Sequence, residues 1–201
     1  MTCALVSIIG PPAVGKTTLA ERLAAALPAE LLREDYAGNP FLADAYAGVA
    51  PARLPSQLYF LMSRVGQLSL LAWPPDGVRI TDYGFCQDRI FAHATLSPDD
   101  WQTYQRLAAH LARLVKQPDL LIHLDADEPT LLARIAARAR PHERFITHQF
   151  LAAMRQSYAH AADEAACRVL RADAAATDLR DPATSAPLVD QVRQALAPPV
   201  R

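Results

Sequence analysis

The sequence predicts an α/β fold: a parallel sheet covered by helices on both faces. Three observations predict it. Short apolar, β-branched runs alternate along the chain with longer segments of helical period. The first such run stops at glycine and leads directly into G-x-x-x-x-G-K-T at the start of a helix. The 201 residues, half apolar and a fifth charged, suffice for one full core. No repeat, long linker or second-domain boundary interrupts them, so one domain over 1–201 is expected.

The elements follow in order. "CALVSIIG" (3–10) reads as a buried parallel strand. "KTTLAERLAAAL" has helical spacing at Leu19, Leu23 and Leu27, and Pro28 ends it. "AELLRE" (29–34) is a brief second strand, after which Asn39-Pro40 forms a turn that starts another helix. "PSQLYFLMSRVGQLSLLAW" (55–73) has helical length and is apolar on most faces, which predicts a buried helix. "WPPDG" is a turn and "VRITD" (78–82) the third strand. "LSPDDW" carries a helix start, with Ser97 as N-cap, Pro98 first and acids in the first turn; the helix is expected to run through Leu107, Leu111 and Leu114. "PDLLIHLDA" (118–126) is the fourth strand. "EPTLLARIAARARPHER" (128–144) is a helix that Pro141 stops in an Arg-rich segment. "ITHQFLAAMRQSYAHAADEA" (146–165) is a helix, "CRVLRAD" (167–173) the fifth strand and "APLVDQVRQALA" (186–197) the closing helix.

Composition removes several functional classes. A net charge of −1 provides no field for a nucleic-acid polymer or an anionic membrane. No apolar run reaches the ~18 residues of a membrane helix. "MTCALVSIIG" lacks a charged start and a cleavage site, so no signal peptide is read there. Cys3, Cys86 and Cys167 are widely spaced, which fits neither a disulfide framework nor a zinc site and suggests a reducing, cytoplasmic compartment. The six histidines show no ligand spacing.

"GPPAVGKTT" places Gly10, Gly15, Lys16 and Thr17 on the phosphate-cradle pattern, in the strand-to-helix context that the pattern requires. The two glycines let successive N–H groups turn inward at phosphate oxygens. The helix start adds partial positive charge. Lys16, one of only two lysines, is expected to reach the β/γ-phosphates of ATP, and the Thr17 hydroxyl to hold Mg²⁺. Asp82, at the end of an apolar strand, is placed to hold the same ion or its water.

A GTPase switch would show D-x-x-G, but "TDYG" brings Gly84 one position too early. A DNA-remodelling ATPase is usually larger. A small-molecule kinase fits, since it needs a carboxylate beside the acceptor hydroxyl and cations that close over the transferring group. Arg134 and Arg138 share a helix face at i, i+4 and Arg140 follows, which points to an Arg-rich lid at about 138–146.

In the order "GPPAVGKTT", "EDYAGNPFLADAY", "QLYFLMSR", "TDYGFCQDRIFA", "PDLLIHL", "RIAARARPHERFI" and "ATDLRDP", the chain resembles the bacterial deoxynucleoside kinases. The resemblance implies a P-loop kinase fold with a five-stranded parallel sheet, ATP and Mg²⁺, a 2′-deoxynucleoside acceptor and a homodimer. By position, Glu34 resembles the general base, five residues before Asn39. Gln57 resembles the glutamine that pairs with the base, and Arg64 and Asp88 the charged pair at the far end of that pocket. Tyr46 and Glu143 resemble the pair on the sugar 3′-hydroxyl. Arg134, Arg138 and Arg140 resemble the lid arginines. The resemblance also puts Asp82 beside the nucleoside, with Phe85 and Phe91 as candidates for an aromatic wall under the base. Around ATP it implies Ala13, Val14 and Thr18 with the cradle residues, and Asp178 from the last segment.

One departure stands out. Many relatives carry acid-Arg-Ser after the third strand, where this chain has Asp82-Tyr83-Gly84, so a lid arginine or Arg89 is expected to substitute. Purine deoxynucleosides are the expected acceptors, with feedback by a deoxynucleoside triphosphate. The alternatives are a nucleoside-monophosphate kinase of the thymidylate kinase type, using Arg53 or Arg64 on the acceptor phosphate, and a non-catalytic nucleotide-binding regulator.

Overall fold

The computed structural model describes residues 3–140, 143 and 145–197. Five strands form one sheet in the order β2-β3-β1-β4-β5: β1 Ala4–Ile9, β2 Glu30–Leu32, β3 Val78–Thr81, β4 Leu120–Asp125 and β5 Arg168–Asp173. Every pairing is parallel, with Val6 opposite both Ile80 and Leu120. The helices are α1 Lys16–Ala26, α2 Leu42–Tyr46, α3 Ala50–Gln67, α4 Cys86–Thr95, α5 Pro98–Leu111, α6 Glu128–Arg138, α7 His148–Asp163 and α8 Pro182–Leu196.

The period of two along β1 divides its side chains between the faces. Val6 and Ile8 pack on one face with Leu19 and Leu23 of α1, Leu131 of α6 and Val192 of α8. Ile9 meets Met154 and Tyr158 of α7 on the other face, where Leu5 meets Leu68 and Tyr83. Each such side chain leaves water completely or nearly so, at about 1.5–3 kcal/mol apiece. This double cover fixes the central strands and leaves their C-terminal ends as the open edge, where a crevice forms in folds of this kind.

The expected helix over 55–73 differs from the observed one. α3 starts at Ala50, with Pro51 in its first turn, and Pro55 lies inside it, where one i→i−4 bond is lost. It ends at Gln67, and Leu70–Ala72 form a separate 3₁₀ turn. Nor is it buried on most faces: the buried stripe is Ala52, Ser56, Gln57, Phe60, Leu61 and Arg64, while Met62, Leu70 and Leu71 face outward. α8 likewise begins earlier than expected, at Pro182, capped by the Asp181 side chain, with Pro187 inside. α5 stops at Leu111, short of Leu114, although its start is as read, with Ser97 Oγ accepting from Asp100 N at 3.2 Å. α6 ends at Arg138, with Ala139 in the left-handed region; Pro141 and His142 lie outside the described residues.

Candidate active site

The cradle follows β1. Gly10 (φ 148°) and Gly15 (φ 108°) adopt backbone that favours glycine, and a Cβ on Gly10 would stand 2.3 Å from the Leu124 carbonyl oxygen. Lys16 begins α1 and bends its ammonium back to donate to the carbonyls of Gly10 (2.8 Å) and Pro11 (3.1 Å). Burial pulls its pKa down to about 7, with Asp82 opposing and Arg138 and Arg64 adding to the fall. Thr17 Oγ1 donates to Asp82 Oδ2 at 2.6 Å. Asp82 Oδ1 accepts from the Glu34 N–H at 2.9 Å, so one carboxylate joins the cradle to the end of β2.

Two cavities open along this edge. The larger, about 710 Å³, is lined by Ala13 to Thr18 of the cradle, by Asp82 and Asp178, and by Arg134, Arg138, Arg140 and Glu143. The smaller, about 280 Å³, is lined by Glu34, Tyr46, Gln57, Arg64 and Asp88, among others. Tyr36, Tyr46, Gln87 and Phe91 line both, and so mark where the two meet.

Glu34 lines the smaller cavity, its side chain 3% exposed, beside Gln87, which lines both. It accepts from Arg64 and, at 3.2 and 3.1 Å, from Gln87 Nε2 on both oxygens. Arg64 also pairs with Asp88 and is itself buried, packed near the rings of Phe60 (5.7 Å) and Tyr83 (5.1 Å). One guanidinium thus serves two buried carboxylates. Desolvation outweighs its field at Asp88, whose pKa is pushed up to about 6. Asp35, the next residue, does not enter the site: it accepts from Gly38 N (2.8 Å) and Tyr59 Oη (2.5 Å). Asn39 locks the following turn onto α3 through Ser56.

The arginines of α6 divide. Arg134 donates to the Val14 carbonyl (3.2 Å) and the Ala174 carbonyl (2.6 Å), tying the cradle to the end of β5. Arg138 grips Glu143 with two donors, and Arg140 approaches the same carboxylate at 3.7 Å. Arg140 also lies 5.9 Å from the Tyr36 ring centre. Tyr46 is half-buried among these groups, its pKa raised to about 12 by desolvation and by Glu143. Asp178 accepts from the backbone and side chain of Arg180, both at 3.0 Å.

Two expected lining residues stand elsewhere. Gly10 does not line the cavity; its role is to let β1 and β4 approach. Phe85 lines neither cavity and packs with Leu5, Leu61 and Tyr83, because at the start of α4 its side chain turns back into the core. The donors to Glu34 are Arg64 and Gln87. Tyr83 itself is fully buried, donating to Gln67 Oε1 at 2.6 Å. The sequence reading missed Gln87, Tyr36 and Phe150 as lining residues. Gln87 and Tyr36 lay inside the quoted segments, next to or two residues from the acids singled out.

Comparison with known proteins agrees with this arrangement. A model of the deoxynucleoside kinase family matches residues 6–197. Deoxyguanosine kinase of Bacillus subtilis (strain 168) is 31% identical over 163 residues, which cover 78% of this chain and 77% of that protein. Deoxyadenosine kinase of Dictyostelium discoideum is 30% identical over 158 residues, 76% of this chain and 64% of that one. The structure of deoxyadenosine kinase from M. mycoides with dCMP and a flexible dCDP superposes with a TM-score of 0.80 at 20% identity, covering 94% of this chain and 98% of that one. A family match over nearly the whole chain, and a relative above 30% identity, make this chain a member of the deoxynucleoside kinase family, an enzyme that phosphorylates nucleosides.

Proposed function

We propose that the enzyme transfers the γ-phosphoryl group of ATP to the 5′-hydroxyl of a 2′-deoxynucleoside, with purine deoxynucleosides favoured, as a step of nucleotide salvage in the cytoplasm. The observation that carries this reading is the buried Glu34 carboxylate in the smaller cavity, bonded to Gln87, which lines both cavities. A nucleoside in the smaller cavity presents its 5′-hydroxyl there, and ATP in the larger one presents its γ-phosphoryl group. The 5′-oxygen forms the new bond to phosphorus, the bond to the bridging oxygen breaks to leave ADP, and Glu34 takes the hydroxyl proton. Gln57, with both donor and acceptor, and the Arg64–Asp88 pair meet the base edge. The names of the relatives, deoxyguanosine and deoxyadenosine kinase, support purines.

The chemistry of the cradle suits Mg²⁺. Thr17 Oγ1 and Asp82 Oδ2 are hard oxygen donors 2.6 Å apart beside Lys16. Such a sparse protein set matches an ion completed by phosphates and water. When bound there, the ion would offset charge on the β- and γ-phosphate oxygens. Lys16 adds a donor on the same side. Arg138, Arg140 and Glu143 form the described part of a lid, with Arg138 turning from Glu143 to the phosphates and Glu143 to the 3′-hydroxyl beside Tyr46. Arg134 stays in place and holds the cradle. Among the described residues of the smaller cavity, Arg64 is held by two carboxylates, while Arg53 bonds only the carbonyls of Thr95 (3.4 Å) and Gly48 (3.3 Å). The two carboxylates facing the cavity, Glu34 and Asp88, favour a hydroxyl acceptor over a phosphate.

ATP consumption with the four deoxynucleosides, set beside their monophosphates, tests the reading directly. Turnover is expected with the nucleosides, highest for purines, and a preference for monophosphates would overturn it. Glu34→Gln should lower turnover by ~10²-fold or more while nucleoside binding is kept. Near-normal turnover would remove Glu34 from the role.

A further inference from the structure

Gln87 has no part in the reaction as described so far, yet its position is unusual. It lies in the first turn of α4, 2% exposed, and is one of four residues lining both cavities. Its Nε2 donates to both oxygens of Glu34, at 3.2 and 3.1 Å. Its Oε1 is buried with no partner. The amide orientation follows from chemistry, since turning Oε1 toward a carboxylate would set two acceptors face to face. Leaving a buried amide oxygen unsatisfied forfeits its hydration without a replacement bond. A side chain placed only to fill the core would be apolar here. The polar amide, kept despite its orphan oxygen, is explained by what its nitrogen holds.

We propose that Gln87 is a positioning residue for the reaction: it fixes the rotation of the Glu34 carboxylate so that one oxygen faces the acceptor hydroxyl. The inference rests on the reading of Glu34 as the base. Arg64 alone cannot do this. It approaches only Oε1, and it is also drawn toward Asp88. A carboxylate held at one oxygen still turns about its last bond, whereas a donor spanning both oxygens stops that turning. Because α4 follows directly on the turn after β3, the amide is carried on the same rigid segment that carries Asp82, which in turn holds the Glu34 N–H. Backbone and carboxylate of Glu34 are therefore located from one side.

The test is Gln87→Leu, which keeps much of the volume and removes the donor. kcat should fall on the order of 10- to 100-fold, the scale of a misplaced reacting group, with KM for ATP and for the deoxynucleoside within about threefold of the parent. Gln87→Glu, with the same shape but an acceptor facing Glu34, should be at least as impaired. In the Glu34→Gln background Gln87→Leu should cost less than about threefold more, because the two act as one unit. If Gln87→Leu does not fold, Gln87→Asn, which draws the amide back by one methylene, takes its place with the same expectations. A kcat within twofold of the parent, a loss confined to KM, or full additivity with Glu34→Gln would overturn the proposal. If instead Glu34→Gln itself retained turnover, the base assignment would fail first, and the two failures are told apart by that single variant.

Discussion

Single residues here carry charge in places where water would normally have to follow. Lys16 shows the consequence. In the protein alone its desolvation favours the neutral amine, with a pKa of about 7 against an ordinary 10.5. The unfolded chain therefore binds more protons than the folded one between roughly pH 7 and 10.5, so this group's contribution to stability rises with pH across that window and is lowest below it. Phosphates in the cradle reverse the preference. ATP binding at pH 8 should be accompanied by uptake of close to one proton, measurable by calorimetry in buffers of different ionisation enthalpy. Lys16→Met should abolish that uptake. Glu34 was readable from its spacing to Asn39-Pro40, and the Arg64–Asp88 pair from the family resemblance. That the same guanidinium also reaches Glu34 was not, since nothing in a linear spacing reveals that Arg64 reaches thirty residues back as well as twenty-four forward.

Elements tell a different part of the story. The strands and the cradle were legible because apolar runs and the Gly-Lys-Thr pattern are local signals. α4 was not identified as a helix, because its buried face consists of Gln87, Asp88 and Ala92 and so has no apolar period to detect. Pro55 and Pro187 misled for the converse reason: tertiary packing keeps both inside helices that the sequence appeared to begin there. The turn from β3 into α4 depends on close approach. A Cβ on Gly84 would stand 2.4 Å from Ile9 Cγ2 of β1. Gly84→Ala should lower the free energy of unfolding by about 1–3 kcal/mol in urea titration. Gly66→Ala in α3, where a Cβ meets nothing within 4 Å, should instead raise it by about 0.5–1 kcal/mol. Equal effects would argue against the packing reading of Gly84.

At the scale of the whole molecule, no described helix is long and apolar enough to cross a membrane. Apolar surface is nevertheless exposed on neighbouring elements: Met62 on α3, Leu70 and Leu71 in the 3₁₀ turn, Leu107 on α5 and Leu114 beyond it. Leu70 N and the Leu114 carbonyl are bonded at 2.9 Å, so these positions adjoin. We expect this face to be covered by a second copy, and Leu71→Glu combined with Leu114→Glu to shift the sedimenting species from dimer to monomer. A monomeric parent would refute it. The scarcity of lysine has a last, practical effect. Lys16 is half-buried in the cradle, and Lys116 precedes β4, at the end of the sheet opposite the crevice. With ATP covering Lys16, lysine-directed coupling to a sensor chip should therefore proceed through Lys116 and present the immobilised molecules with the binding mouth turned toward the flowing analyte.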